Sequence, residues 1–184
     1  MIQYLLRRKA LIALLLTFTG VGASFGQVTY NQGFEALVFA PTGWTLGPTT
    51  GNNLWSRRTN GTFPTCTPHS GAAMARFASH NATVGRTQTL ITPVIDYSAL
   101  GNNIATFSLW VYRDTGAATA PDSLTISVNT SATDTGATPI GTIARSVSIN
   151  LPDTKVSSGW YQYTFNVPAS FNTNTNYIII NGTA

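Results

Sequence analysis

Residues 105–112 read ATFSLWVY and residues 160–167 read WYQYTFNV. In the first stretch Ala105, Phe107, Leu109 and Val111 fall on one side of an extended chain, with Thr106, Ser108, Trp110 and Tyr112 on the other. In the second, Tyr161, Tyr163, Phe165 and Val167 alternate with Gln162, Thr164 and Asn166. Successive side chains of a strand point to opposite faces, so this period of two spells strands with one buried and one wet face. SLTISVN (123–129) repeats the pattern through Leu124, Ile126 and Val128. In IARSVSINL (143–151) Ile143, Val147, Ile149 and Leu151 share a face that Arg145 interrupts. A charge there predicts an edge position or a strand end, where it blunts further pairing.

Further strands are expected near 28–34, 72–78, 86–92 and 176–181. Turn signals such as Pro41-Thr42-Gly43, Gly51-Asn52-Asn53, Gly101-Asn102-Asn103, Pro121-Asp122 and Pro152-Asp153 separate them. Helical periodicity is absent after the first 26 residues. Eight or nine half-polar strands predict an all-β fold, a two-sheet antiparallel β-sandwich of jelly-roll, galactose-binding-like type. The stretch from Thr45 to Ser70 reads as one long irregular loop. NYIIINGTA runs into Asn181-Gly182, which resembles the start of a turn, so the domain is expected to lack its closing strand or strands.

Residues 1–26 read as a signal peptide. Arg7, Arg8 and Lys9 precede the apolar run ALIALLLTFTGVGA, too short for a membrane span, and Ser24 and Gly26 suit cleavage before Gln27. Residues 27–184 are then one secreted domain with no membrane span. Three of the ten basic residues lie in the leader and none of the six acidic ones does, so the remainder carries about +1. That is no electrostatic footprint for nucleic acid. Cys66 is the single cysteine, which excludes a disulfide within the chain and suits a buried, inert thiol.

Catalytic groups are scarce. Glu35 is the one glutamate, and Asp96, Asp114, Asp122, Asp134 and Asp153 all sit at turns, loops or strand ends, where aspartate commonly bonds its own backbone. A glycosidase needs a carboxylate pair. Cys66 with His69 or His80 lacks an orienting third group, and Cys66 with His69 cannot complete a four-ligand zinc site. Calcium is a better match, because it accepts backbone carbonyls and needs few carboxylates. Glu35, expected at the end of the first strand, and the loop ending at Ser70 are the candidate ligands.

GFEALVFAPTGWT, NLWSR, HSGAAMARF, TLITPVIDYS and ATFSLWVYRD follow one another in the chain. This order resembles the choice-of-anchor J domain of secreted bacterial surface proteins, itself similar to MAM and cleaved-adhesin domains. The resemblance spans about 28 to 180 and implies a jelly roll with bound calcium, in which Glu35 takes the place of the metal-binding glutamate and Ser70 lies in an oxygen-donating loop. The late Asp-Asp-like motif of that pattern is missing here. Asp122-Ser123-Leu124 also resembles a bacterial O-glycosylation acceptor, and an ordinary strand entry explains it equally well. Sequons at Asn60, Asn81, Asn129 and Asn181 are what an Asn/Thr-rich chain produces by chance.

A non-catalytic module of a secreted or surface protein is therefore expected, for adhesion or for binding a glycan or a cell-surface protein. An accessory domain of a secreted hydrolase and a structural spacer are the alternatives. Trp55 and Arg58 in the long loop are the candidate ligand-binding residues. Trp110 and Tyr112 also qualify as sugar platforms, although core packing is the favoured reading for them.

Overall fold

The computed structural model describes residues 30–80, 82–116 and 121–184. The expected signal peptide and Asn81 lie outside the described residues. The described chain folds into antiparallel strands and two short 3-10 turns, with no α-helix. Five strands make the larger layer: β1 (Thr45–Leu46), β6 (Thr87–Ile91), β11 (Tyr177–Thr183), β8 (Ser123–Asn129) and β9 (Thr138–Ala144), side by side in that order. The facing layer consists of two pairs. β2 (Trp55–Arg58) pairs with β5 (Met74–Phe77), and β7 (Thr106–Arg113) pairs with β10 (Gly159–Asn166). A small hairpin, β3 (Gly61–Thr62) and β4 (Thr65–Cys66), follows β2.

The alternation read from the sequence sets this packing. Phe107 and Leu109 of β7 stand opposite Phe165 and Tyr163 of β10 and turn inward. They meet Leu90, Ile126, Val128, Ile178 and Ile180 of the larger layer, none of them more than 6 % exposed. Burying a side chain of this size contributes about 1.5–3 kcal/mol, which makes this two-layer interface the main source of stability. The molecule is thus a two-layer antiparallel β-sandwich.

Three expectations need correction. No strand forms over 30–34; Gln32 Oε1 accepts from the Phe34 amide at 2.6 Å, and Phe34 sits at φ 60. That local turn outcompetes pairing, yet Phe34 still reaches the core, its ring 5.5 Å from that of Trp44. The expected strand 143–151 lies earlier, at Thr138–Ala144. It stops where Arg145 leaves the ladder to bond Asp114 at 2.8 Å and Asp122 at 3.0 Å. The long loop from Thr45 to Ser70 holds β1, β2 and the β3–β4 hairpin. The last strand, β11, occupies the middle of the five-stranded sheet between β6 and β8.

β7 ends in Arg113, whose side chain is wholly buried. Its guanidinium donates to the carbonyls of Asp153 (2.7 Å), Ile149 (2.8 Å) and Ser146, and to the Tyr163 hydroxyl (2.9 Å). The segment after β9 is thereby wrapped around the end of β7.

Candidate functional site

The outward face of β7 and β10 carries aromatic groups where polar ones are ordinary. Trp110 lies opposite Gln162, and Tyr112 opposite Trp160. Trp110 is 44 % exposed. The Tyr112 and Trp160 rings meet edge to face at 5.6 Å, the arrangement ring quadrupoles prefer.

The loop after β4 completes this patch. His69 stacks on Trp110 with centroids 3.8 Å apart, and meets Trp160 edge to face at 5.8 Å. The Trp160 indole N–H donates to the Thr67 carbonyl at 3.0 Å, pinning the loop to β10. The other end of the loop is held by Glu35. Its carboxylate accepts the amide of Ala72 at 3.1 Å and of Ala73 at 3.4 Å. Gly71 makes that approach feasible: it sits at φ 65, and a Cβ there would overlap Glu35 Oε1. Arg57 fixes the glutamate's own backbone by donating to the carbonyls of Phe34 (3.2 Å) and Glu35 (3.3 Å). The sequence pointed to Glu35 and the loop ending at Ser70 as oxygen donors to calcium. The contact Glu35 makes is an anchor on the amide N–H groups of Ala72 and Ala73, and Ser70 is exposed two residues before Ala72.

The other candidates fall differently. Trp55 is no loop residue: it lies on β2, 5 % exposed, its ring 5.2 Å from Phe77 and its N–H donated to the Gln88 carbonyl at 2.7 Å. The pairing of WSRR with MARF turns it into the core, so it is not an exposed stacking platform. Arg58 is exposed at the end of β2, opposite Met74. His69 and Trp160 were not singled out as ligand-facing residues. The readable signal was register: strands 105–112 and 160–167 share a polar face, and Trp110, Tyr112 and Trp160 all lie on it.

The described carboxylates are engaged in caps, ion pairs and hydrogen bonds. Among the described residues no three His, Cys, Asp or Glu side chains gather into a metal-holding cluster. Asp96 caps Ser98, whose hydroxyl and amide hold its carboxyl below the usual range. Asp114 and Asp122 both pair with Arg145, and Ser79 donates to Asp122 at 2.5 Å. Ser123 of the Asp-Ser-Leu motif opens β8. Cys66 is partly buried, and that burial pushes its thiol up from its ordinary value, the direction of an unreactive cysteine.

No family model matches the chain, and no curated protein does. Solved structures do resemble it. The K1 cleaved adhesin domain of Lys-gingipain from Porphyromonas gingivalis W83 superposes with a TM-score of 0.52 at 14 % identity, over 83 % of this chain and 92 % of that one. The K3 cleaved adhesin domain of the same protein gives a TM-score of 0.50 at 17 % identity, over 78 % and 83 %. These likenesses concern the backbone, and they make the chain a cleaved-adhesin-like β-sandwich in fold.

Proposed function

We propose that this chain is a non-catalytic, extracellular binding module, an adhesion domain that presents the Trp110–His69–Trp160–Tyr112 patch to carbohydrate. The carrying observation is Trp110, 44 % exposed on the wet face of a strand and stacked against His69. Flat rings stack on the apolar faces of sugars, and convergent polar groups fix orientation. Gln162, Thr164 and Ser108 supply such groups on the same face. Glu35 serves as a positioning residue, because it holds the loop that brings His69 to Trp110. A secreted or cell-surface location suits the leader pattern, the low charge and the likeness to adhesin domains. The order of short motifs favours a choice-of-anchor J or MAM-like relative within this fold, a module of a larger protein.

A panel of plant, host and bacterial glycans tests the carbohydrate reading. Binding is expected, and Trp110→Ala should weaken it by about thirtyfold, the ~2 kcal/mol of a central contact residue. Silence across the panel overturns it.

Calcium belongs to the same proposal. The Glu35 carboxylate is a hard oxygen donor with lone pairs beyond those engaged by Ala72 and Ala73, and Ser70 offers hydroxyl and carbonyl oxygens. The Phe34 and Glu35 carbonyls are already taken by Arg57. These groups fit part of a shell of about six to eight oxygens, and water or other carbonyls must supply the rest. At about a hundredfold excess over Kd, calcium should add ~2.7 kcal/mol to stability, read as a melting temperature that falls with EDTA. Equal melting temperatures with calcium and with EDTA remove the metal from the proposal.

A further inference from the structure

The facing layer of the sandwich is split. β5 has β2 as its one strand partner, β7 has β10, and neither has a second among the described residues. Between them lies a cavity of about 960 Å³. Its walls include residues 73–77 without a break and residues 105–112 without a break. A cavity lying over a sheet face touches alternate residues of a strand. One that touches every residue in turn runs along the strand's edge, so the walls are the two free backbone edges. The floor is the larger layer, reached at Leu90, Leu124, Ile143 and Ile180.

The two edges also run the same way. β7 ends beside β9 and the start of β8, where Asp114 N–H donates to the Arg145 carbonyl and Arg145 N–H to that of Asp122. β5 ends with Phe77 against Gly182, near Thr183, which pairs with the same start of β8. One strand running in the opposite sense would therefore pair antiparallel with both edges and continue the alternation of β2, β5, β7 and β10. Unpaired edges in an apolar setting leave amide and carbonyl groups that only a strand satisfies in register.

We propose that this slot is a strand acceptor, occupied by an extended peptide of a partner polypeptide that is apolar at alternate positions and carries a carboxylate. Strand addition draws affinity from main-chain hydrogen bonds and specificity from alternate side chains. The floor takes the apolar side chains. Arg76 on the slot wall takes the carboxylate: its Nε is buried without a hydrogen-bond partner, and Arg58 close by adds a second positive charge. Burial first, and Arg58 second, hold the Arg76 guanidinium below its ordinary range, which an incoming anion relieves. His69, Trp110, Tyr112 and Trp160 of the aromatic patch border the same cavity, but pairing at the strand edges does not depend on sugar binding there.

The test uses the full chain and a blocked synthetic peptide of alternating valine and threonine with one aspartate. Fluorescence anisotropy reads binding, and backbone hydrogen exchange reads its place. Binding should slow exchange at the amides of Met74–Phe77 and Thr106–Arg113. A version with proline at alternate positions cannot donate to the edges and should not bind. Lysine in place of aspartate should weaken binding about tenfold. Saturating peptide without added protection at those amides overturns the proposal. So does a free protein in which they already exchange as slowly as those of β11, because the slot is then closed.

Discussion

Arg113→Ala is expected to lower the free energy of unfolding by about 3–5 kcal/mol, a large share of the ~5–15 kcal/mol that a domain possesses. The guanidinium satisfies the carbonyls of Ser146, Ile149 and Asp153 and the hydroxyl of Tyr163 in one wholly buried position. Truncation strands all four partners and leaves a void, and each stranded buried group costs about 1–3 kcal/mol. Arg113→Lys keeps the charge and loses the planar fork, so it should recover only part of the loss. Asp153→Asn should cost under about 1 kcal/mol, because that carboxylate is half exposed and its carbonyl remains. Urea midpoints with unchanged slopes measure all three. A loss for Arg113→Ala no larger than that for Asp153→Asn would mean that the buried fork contributes nothing beyond its surface ion pair.

This arginine also marks where the sequence stopped being readable. Period-two alternation placed β7, β8 and β10 within a residue or so of their observed bounds, because each turns an apolar face to the core. It failed for 143–151. There a charge–dipole network decides the path: Arg145 is drawn to Asp114 and Asp122, and the next residues wrap around Arg113. No periodicity records a partner 36 residues away, such as the Ile149 carbonyl of Arg113. β2 was missed for a related reason. WSRR has a single apolar residue, and only its pairing with MARF makes it a strand.

The site was legible in pieces. Glu35 stood out by rarity, and motif order suggested a calcium ligand; the fold shows it holding the amides of Ala72 and Ala73. Its visible chemistry is acceptance from amides, which composition does not encode. Trp110 and Tyr112 were read chiefly as packing residues because large aromatic groups usually are. Their register said otherwise, since Thr106 and Ser108 share their face, and the structure agrees with the register. His69 was invisible as a patch member, because its stacking needs the loop pinned by Trp160 and Glu35 together.

Trp55 and Trp110 therefore trade places, and their alanine variants should separate cleanly. Trp55→Ala removes a core indole that is 5 % exposed, breaks its bond to the Gln88 carbonyl and leaves Phe77 without its ring partner. Truncations of this kind cost about 3–5 kcal/mol through lost burial and the cavity left behind. Trp55→Phe refills most of that volume without the N–H and should cost clearly less. Trp110→Ala removes a ring that water already reaches, so its stability loss should stay within about 1 kcal/mol while ligand binding falls. Thermal or urea unfolding of the three variants, with binding read only on those that remain folded, decides the assignment. Had Trp55 been a surface platform, its alanine variant would unfold at the parent's midpoint. That result would place the indole outside the core and return it to the list of ligand-facing residues.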